Sequence, residues 1–296
     1  MAGKILVVGA TGTVGSHLVA ELERRGEAVR AATRDPGGTP RRPGAAAEFV
    51  EFDFERPETF AHAVAGADRA FLIARPGDEQ ADRVALPFIE EMKRQGVRHV
   101  VNLTAIGVEQ RDEMALRKVE RFLEGSGLGF THLRPNFFMQ VFSTGPLLEA
   151  LRATGALQIP AADARISYID ARDIAAVAAA ALTERGHAGK AYTLTGAHAL
   201  DHDEVAQAIS EAAGRAVRYV PIGEDAARSA IASAGLSAER VERLIGFYRL
   251  VRAGLAAPVS PDVQAILGRA PGSFAQFARE HASCWNGPVY VPPTAR

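Results

Sequence analysis

The chain has 296 residues, 47% of them apolar, with 34 basic against 35 acidic side chains and a net charge of −1. That composition fits one elaborated α/β domain or a large domain with a smaller one, and it excludes general disorder. The basic residues are scattered apart from "PRRP" around Arg41, so nucleic acid is not an expected partner. The single Cys284 permits no internal disulfide, no cysteine–histidine cluster has zinc spacing, and no basic and apolar leader opens the chain. The expectation is a cytoplasmic protein without a metal.

Short β-branched runs alternate with amphipathic stretches: KILVVG, helical HLVAELERRG, AVRAATR, AEFVEFD, helical ETFAHAVAG, RAFLIA, helical PFIEEMKRQG, RHVVNLT, helical LRKVERFLEGSG, and GFTHLRP. Strands with almost no polar alternation, separated by such helices, predict an α/β fold with a doubly wound parallel sheet covered on both faces. Gly26, Gly66, Gly96 and Gly127 stand where helices should stop. Past Pro135 the pattern predicts an aromatic loop, a short helix, a strand near ARISYID, a helix over residues 171–183 and a strand in AYTLTG. Asp201 and Glu204 then form a capping box for a helix running to Gly214, and the remainder reads as mostly helical. The longest apolar stretch, 174–182, is too short to span a bilayer, so no membrane is expected.

After the first strand comes "GATGTVG", with glycines at Gly9, Gly12 and Gly15, one residue longer in the first gap than the G-x-G-x-x-G pattern. The strand before it and the helix after it aim amides at the place a pyrophosphate would take, with Thr11, Thr13 and Val14 between the glycines. The plainer alternative is a tight strand-to-helix turn. At the end of the second strand the chain reads "ATRD": Thr33 and Arg34 stand where an acid would hold a ribose 2′-hydroxyl. A guanidinium there suits a 2′-phosphate, so NADPH is expected over NADH. The competing reading makes Arg34 surface and Asp35 the acid.

With "GATGTVG", "TR" after the second strand, "DF" at Asp53 and Phe54, "SGLGFTHLRPNFFMQ" and "YIDARDIA" in this order, the chain resembles the NmrA-like atypical short-chain dehydrogenase/reductases. The resemblance covers most of the chain and is thin in the last third. It implies a Rossmann domain over 1–152, rejoined by 166–196, and a small α+β substrate lobe over 153–165 and 197–296. It implies contacts from Asp53 and Phe54 to adenine, and from Ala74, Arg75 and Pro76 to the cofactor. The group includes NAD(P)H-dependent quinone and enone reductases, and nucleotide sensors with no reaction of their own.

Ordinary members of the superfamily place a tyrosine four residues before a lysine that lowers the phenol's pKa. Here the residues four after Tyr168, Tyr192, Tyr219, Tyr248 and Tyr290 are Arg172, Gly196, Gly223, Arg252 and Thr294. At the corresponding place stands "MALRK", with Met114 for the tyrosine and Lys118 for the lysine. Only four of the basic residues are lysines (Lys4, Lys93, Lys118, Lys190). The i,i+4 spacing sets Met114 and Lys118 on one helix face, with Lys118 directed at the nicotinamide ribose; the alternative is a solvated lysine paired with Asp112, Glu120 or Glu124. Thr104, ending the fifth strand, offers a hydroxyl to the acceptor oxygen or is simply a β-branched strand residue. Pro135, Asn136 and Phe137 are placed at the cofactor, and Phe138, Met139 and Phe142 at a planar apolar substrate, with the lobe core as the alternative for each aromatic. His198 and His202 lack a third ligand, and Asp170 and Asp173 read as helix-start residues.

A ketone's alkoxide product needs a positioned acid, whereas a quinone yields a phenolate of pKa about 10. The missing tyrosine therefore predicts a monomeric or homodimeric NADPH-dependent reductase of conjugated acceptors such as quinones, enones or imines. The rival expectation is a non-catalytic NADP(H) sensor acting through a protein partner.

Overall fold

A computed structural model describes residues 3–40, 44–74 and 78–286. Arg75 and Pro76 lie outside the described residues, as does Arg41. The strands are β1 (Lys4–Val8), β2 (Val29–Thr33), β3 (Glu48–Glu51), β4 (Ala67–Ile73), β5 (His99–Leu103), β6 (Gly129–Pro135), β7 (Ala156–Ile159), β8 (Lys190–Leu194) and β9 (Arg218–Pro221). Seven of them form one parallel sheet in the order β3-β2-β1-β4-β5-β6-β8. The first six reproduce the doubly wound order whose strand direction of growth reverses beside β1, the place where such sheets bind ligands.

The chain forms two compact units: residues 1–135, 171–194 and 261–269, and residues 136–170, 195–260 and 270–296. In the first, Phe52, Phe60 and Phe88 meet at ring distances of 4.6–5.5 Å within an apolar layer that includes the helix Ala81–Arg94. The helix Ala171–Thr183 is buried on nearly every side and packs on β4, β5 and β6 and on the helix Gly15–Arg24. This explains the alanine-rich apolar run from Ile174 to Leu182, because a helical stretch without a polar face belongs in a core. No helix among the described residues is long and apolar enough to cross a membrane.

The second unit holds a two-stranded parallel sheet, β7 with β9, among helices. Neither strand was expected from the sequence. The strand expected near ARISYID is absent: Ile166 makes one isolated bridge to Leu200 and Ile169 one to Phe138. AYTLTG does return a strand, as β8 beside β6. The capping box on the helix His202–Ala213 is formed by Asp201 and Glu204, and Gly26, Gly66, Gly96 and Gly127 follow their helices at positive φ.

Candidate cofactor and substrate site

The chain leaves β1 through Gly9, whose φ of +70° is in the region that side chains disfavour. The Gly12 amide donates to the Gly9 carbonyl at 2.9 Å, closing the turn. A Cβ on Gly15 would come 2.1 Å from the Gly9 oxygen, so the helix Gly15–Arg24 reaches the loop only because that residue has none. Thr11, Gly12 and Thr13 are exposed, and Val14 and Gly15 are buried. The helix has no side-chain cap, and among the described residues no backbone acceptor takes the amides of Thr13, Val14 or Gly15. Such open N–H groups at a helix start form an anion site, and this loop fits a dinucleotide pyrophosphate.

Next to it, Thr33 ends β2 and Arg34 is exposed and unpaired among the described residues. Asp35, the rival for the ribose, folds back: its Oδ1 accepts the Gly38 amide at 2.8 Å and its carbonyl accepts the Thr39 hydroxyl at 2.6 Å. Asp53 is half-buried and accepts the Glu55 amide at 3.0 Å, while Phe54 keeps ring surface open and packs edge-on to Phe52 at 4.8 Å. Ala74, just past β4, is buried.

Met114 stands in extended backbone at the N-cap of the helix Ala115–Gly125, not within the helix. Its carbonyl accepts the Lys118 amide at 3.0 Å. The Lys118 side chain is 51% exposed and its ammonium lies 3.7 Å from Asp82, a partner the sequence did not suggest. Asp112, Glu120 and Glu124 face arginines instead.

Beneath this surface lies a charge network the sequence did not reveal. Glu120 is fully buried; its Oε1 accepts from the Thr104 hydroxyl at 2.8 Å and Arg134 Nε at 3.0 Å, and its Oε2 from Arg117 at 2.6 Å and Arg134 at 2.8 Å. Burial raises the Glu120 carboxyl's pKa, but the Arg134 bond, the charge of His132 and the Thr104 bond together hold it below the ordinary range. Because burial drives His132 itself down to about 4, its imidazole is neutral at pH 7 and the guanidiniums carry the effect there. Glu120, Glu124 and His132 bring ligand atoms within 4.8 Å of one another. Arg117 already bridges the two carboxylates at 2.6 and 2.9 Å, so the cluster is a balanced ion-pair network.

In the second unit Asn136 is buried with its bonds committed: its amide donates to the Ser167 hydroxyl and the Ala256 carbonyl, both at 2.7 Å, and its oxygen accepts the Phe137 amide at 2.9 Å. It ties three segments of that unit together. Pro135, the last residue of β6, belongs to the first unit and is also buried. Met139 and Phe142 are in the core, Phe142 against Tyr168 at 5.1 Å and Phe274 at 5.3 Å. Phe137 and Phe138 keep ring surface open, with Phe137 edge-on to Phe247 at 6.4 Å. His202 is buried and bonded to the Tyr168 hydroxyl at 3.0 Å, and burial drives its pKa down to about 4.

Residues 1–253 match the NmrA-like family model. The chain is 35% identical over 286 residues to the NAD(P)H azoreductase of Xenophilus azovorans, covering 95% of this chain and 99% of the relative. It is 33% identical over 287 residues to the (4-alkanoyl-5-oxo-2,5-dihydrofuran-3-yl)methyl phosphate reductase of Streptomyces griseus, with 95% and 99% covered. Among solved structures, the NADPH-dependent quinone oxidoreductase of Escherichia coli in complex with NADPH superposes with a TM-score of 0.83, 22% identity, and coverage of 93% and 99%.

Proposed function

The chain belongs to the NmrA-like family, and from that premise we propose that it is an NAD(P)H-dependent oxidoreductase that uses NADPH to reduce small, planar, conjugated acceptors. The observation that carries the cofactor assignment is the glycine loop, whose amides at Thr13, Val14 and Gly15 meet no backbone acceptor among the described residues, followed by Arg34, exposed and unpaired among them. The amides take the pyrophosphate and Arg34 the 2′-phosphate. NADPH, when bound, supplies a hydride from its dihydronicotinamide ring. Lys118, held at the surface by one exposed pair to Asp82, turns toward the nicotinamide ribose; such a pair opposes the movement by only about 0–1 kcal/mol. Asp53, Phe54 and Ala74 border the adenine side of the cofactor, and in the second unit Phe137 and Phe138 keep ring surface open.

The acceptor class follows from chemistry. No tyrosine stands four residues before a lysine, so the site favours acceptors whose reduced form is a weak base, such as a phenolate of pKa about 10. Two relatives agree in kind: one is named for azo compounds and one for an oxo-dihydrofuran. The second unit is the substrate lobe in this reading.

The test is loss of NADPH absorbance at 340 nm with purified protein and a panel of quinones, enones, azo compounds and cyclic imines. Acceptor-dependent oxidation that falls at least about tenfold in Lys118→Ala is the expected result. Tight NADPH binding with no turnover across the panel would instead favour a sensor.

A further inference from the structure

We infer that Thr104 serves this site as a hydrogen-bond acceptor for an N–H group, because Glu120 holds its only proton. The inference rests on the reductase reading for its location and on the buried network for its chemistry. Thr104 follows β5 directly, at the carboxyl edge of the sheet where ligands of doubly wound folds bind. A threonine hydroxyl has one proton and two lone pairs, and an ionised carboxylate only accepts.

Both neighbours within reach of the Thr104 hydroxyl are acceptors: Glu120 Oε1 at 2.8 Å and the Leu133 carbonyl at 3.4 Å. The shorter contact is charge-assisted, and Arg117 and Arg134 keep Glu120 ionised. Among the described residues no donor reaches the Thr104 oxygen, and the residue, 8% exposed, is not fully closed off from the surface. An acceptor oxygen placed against Thr104 would meet the hydroxyl's lone pairs and be repelled. An N–H placed there would be bound.

Two groups at such a site carry an N–H: the carboxamide of the nicotinamide, and the nitrogen of a protonated imine or of a hydrazone. Thr104 thereby turns the polarity expected of a hydroxyl at the end of the fifth strand from donor to acceptor. In the second case it selects nitrogenous acceptors over quinones, and Glu120 is its positioning residue.

The experiment compares wild type, Thr104→Val, Thr104→Ser and Glu120→Gln by two readouts: NADPH affinity by fluorescence titration without acceptor, and the ratio of turnover on a cyclic iminium to turnover on a benzoquinone. Thr104→Val is expected to lower one of them about tenfold, the effect of one lost hydrogen bond, with Thr104→Ser restoring it. Loss of affinity assigns the N–H to the cofactor, and loss of the ratio assigns it to the acceptor. Glu120→Gln, whose amide can donate to Thr104 and release its proton, should move the same readout that Thr104→Val moves; if that variant does not fold, the two Thr104 variants carry the test alone. Wild-type affinity and an unchanged ratio in Thr104→Val overturn the inference, as does a selective loss of quinone turnover, which marks a donor. A wild-type protein that binds no NADPH overturns the reductase reading first.

Discussion

The loop from Gly9 to Gly15 and the segment from Asn136 to Phe142 both looked like ligand-binding stretches, and the structure treats them oppositely. In the loop the amides of Thr13, Val14 and Gly15 have no backbone acceptor among the described residues, and Thr11 and Thr13 face solvent. In the segment Asn136 has both kinds of polar group engaged, and Met139 and Phe142 are core. Residue type nominates both; only the partners of each polar group separate a group open to a ligand from one that holds the protein together. Thr104 shows a third state, with its proton committed to Glu120 and no donor among the described residues at its oxygen.

Acid is the perturbation with the largest expected effect, because it reaches both units. His132 in the first and His202 in the second are buried with pKa values pushed from 6.5 to about 4. The unfolded chain therefore binds these protons first. Stability is full above pH 6.5 and is lost as pH falls toward 4, by about 3 kcal/mol for each histidine. Urea unfolding across that window should show the loss, and His202→Gln should remove about half of it.

Gly15→Ala comes next, since its Cβ would meet the Gly9 carbonyl at 2.1 Å. NADPH affinity should fall by about a hundredfold or more, read by fluorescence titration. Asn136→Ala is the counterpart in the other region: about 2 kcal/mol of stability lost in urea, with NADPH affinity unchanged. An Asn136→Ala variant that keeps its stability and loses NADPH would break the comparison. Arg34→Ala should reduce the preference for NADPH over NADH about tenfold by weakening the 2′-phosphate contact alone.

The sheet was legible because its strands, most of them apolar like β1 and β5, alternate with amphipathic helices, and glycines mark where several of those helices end. β7 and β9 were not, because each is four residues long, shows no alternation and finds its partner about sixty residues away. ARISYID misled because Ile166 and Ile169 do form β-bridges, but each is isolated and builds no ladder. The glycine loop was legible as local geometry. The Glu120 network was not: an i,i+3 Arg117–Glu120 pair reads as helix surface, and its burial depends on Arg134 and Thr104 arriving from β6 and the end of β5. Asp82 as the partner of Lys118 was hidden for the same reason.

The most direct test of the account follows backbone and side-chain amide resonances of deuterated, 15N-labelled protein as NADPH is added. The account predicts the largest shifts at the amides of Thr13, Val14 and Gly15, with the Asn136 side-chain amide unmoved. Shifts centred on Asn136 with a silent glycine loop would contradict it.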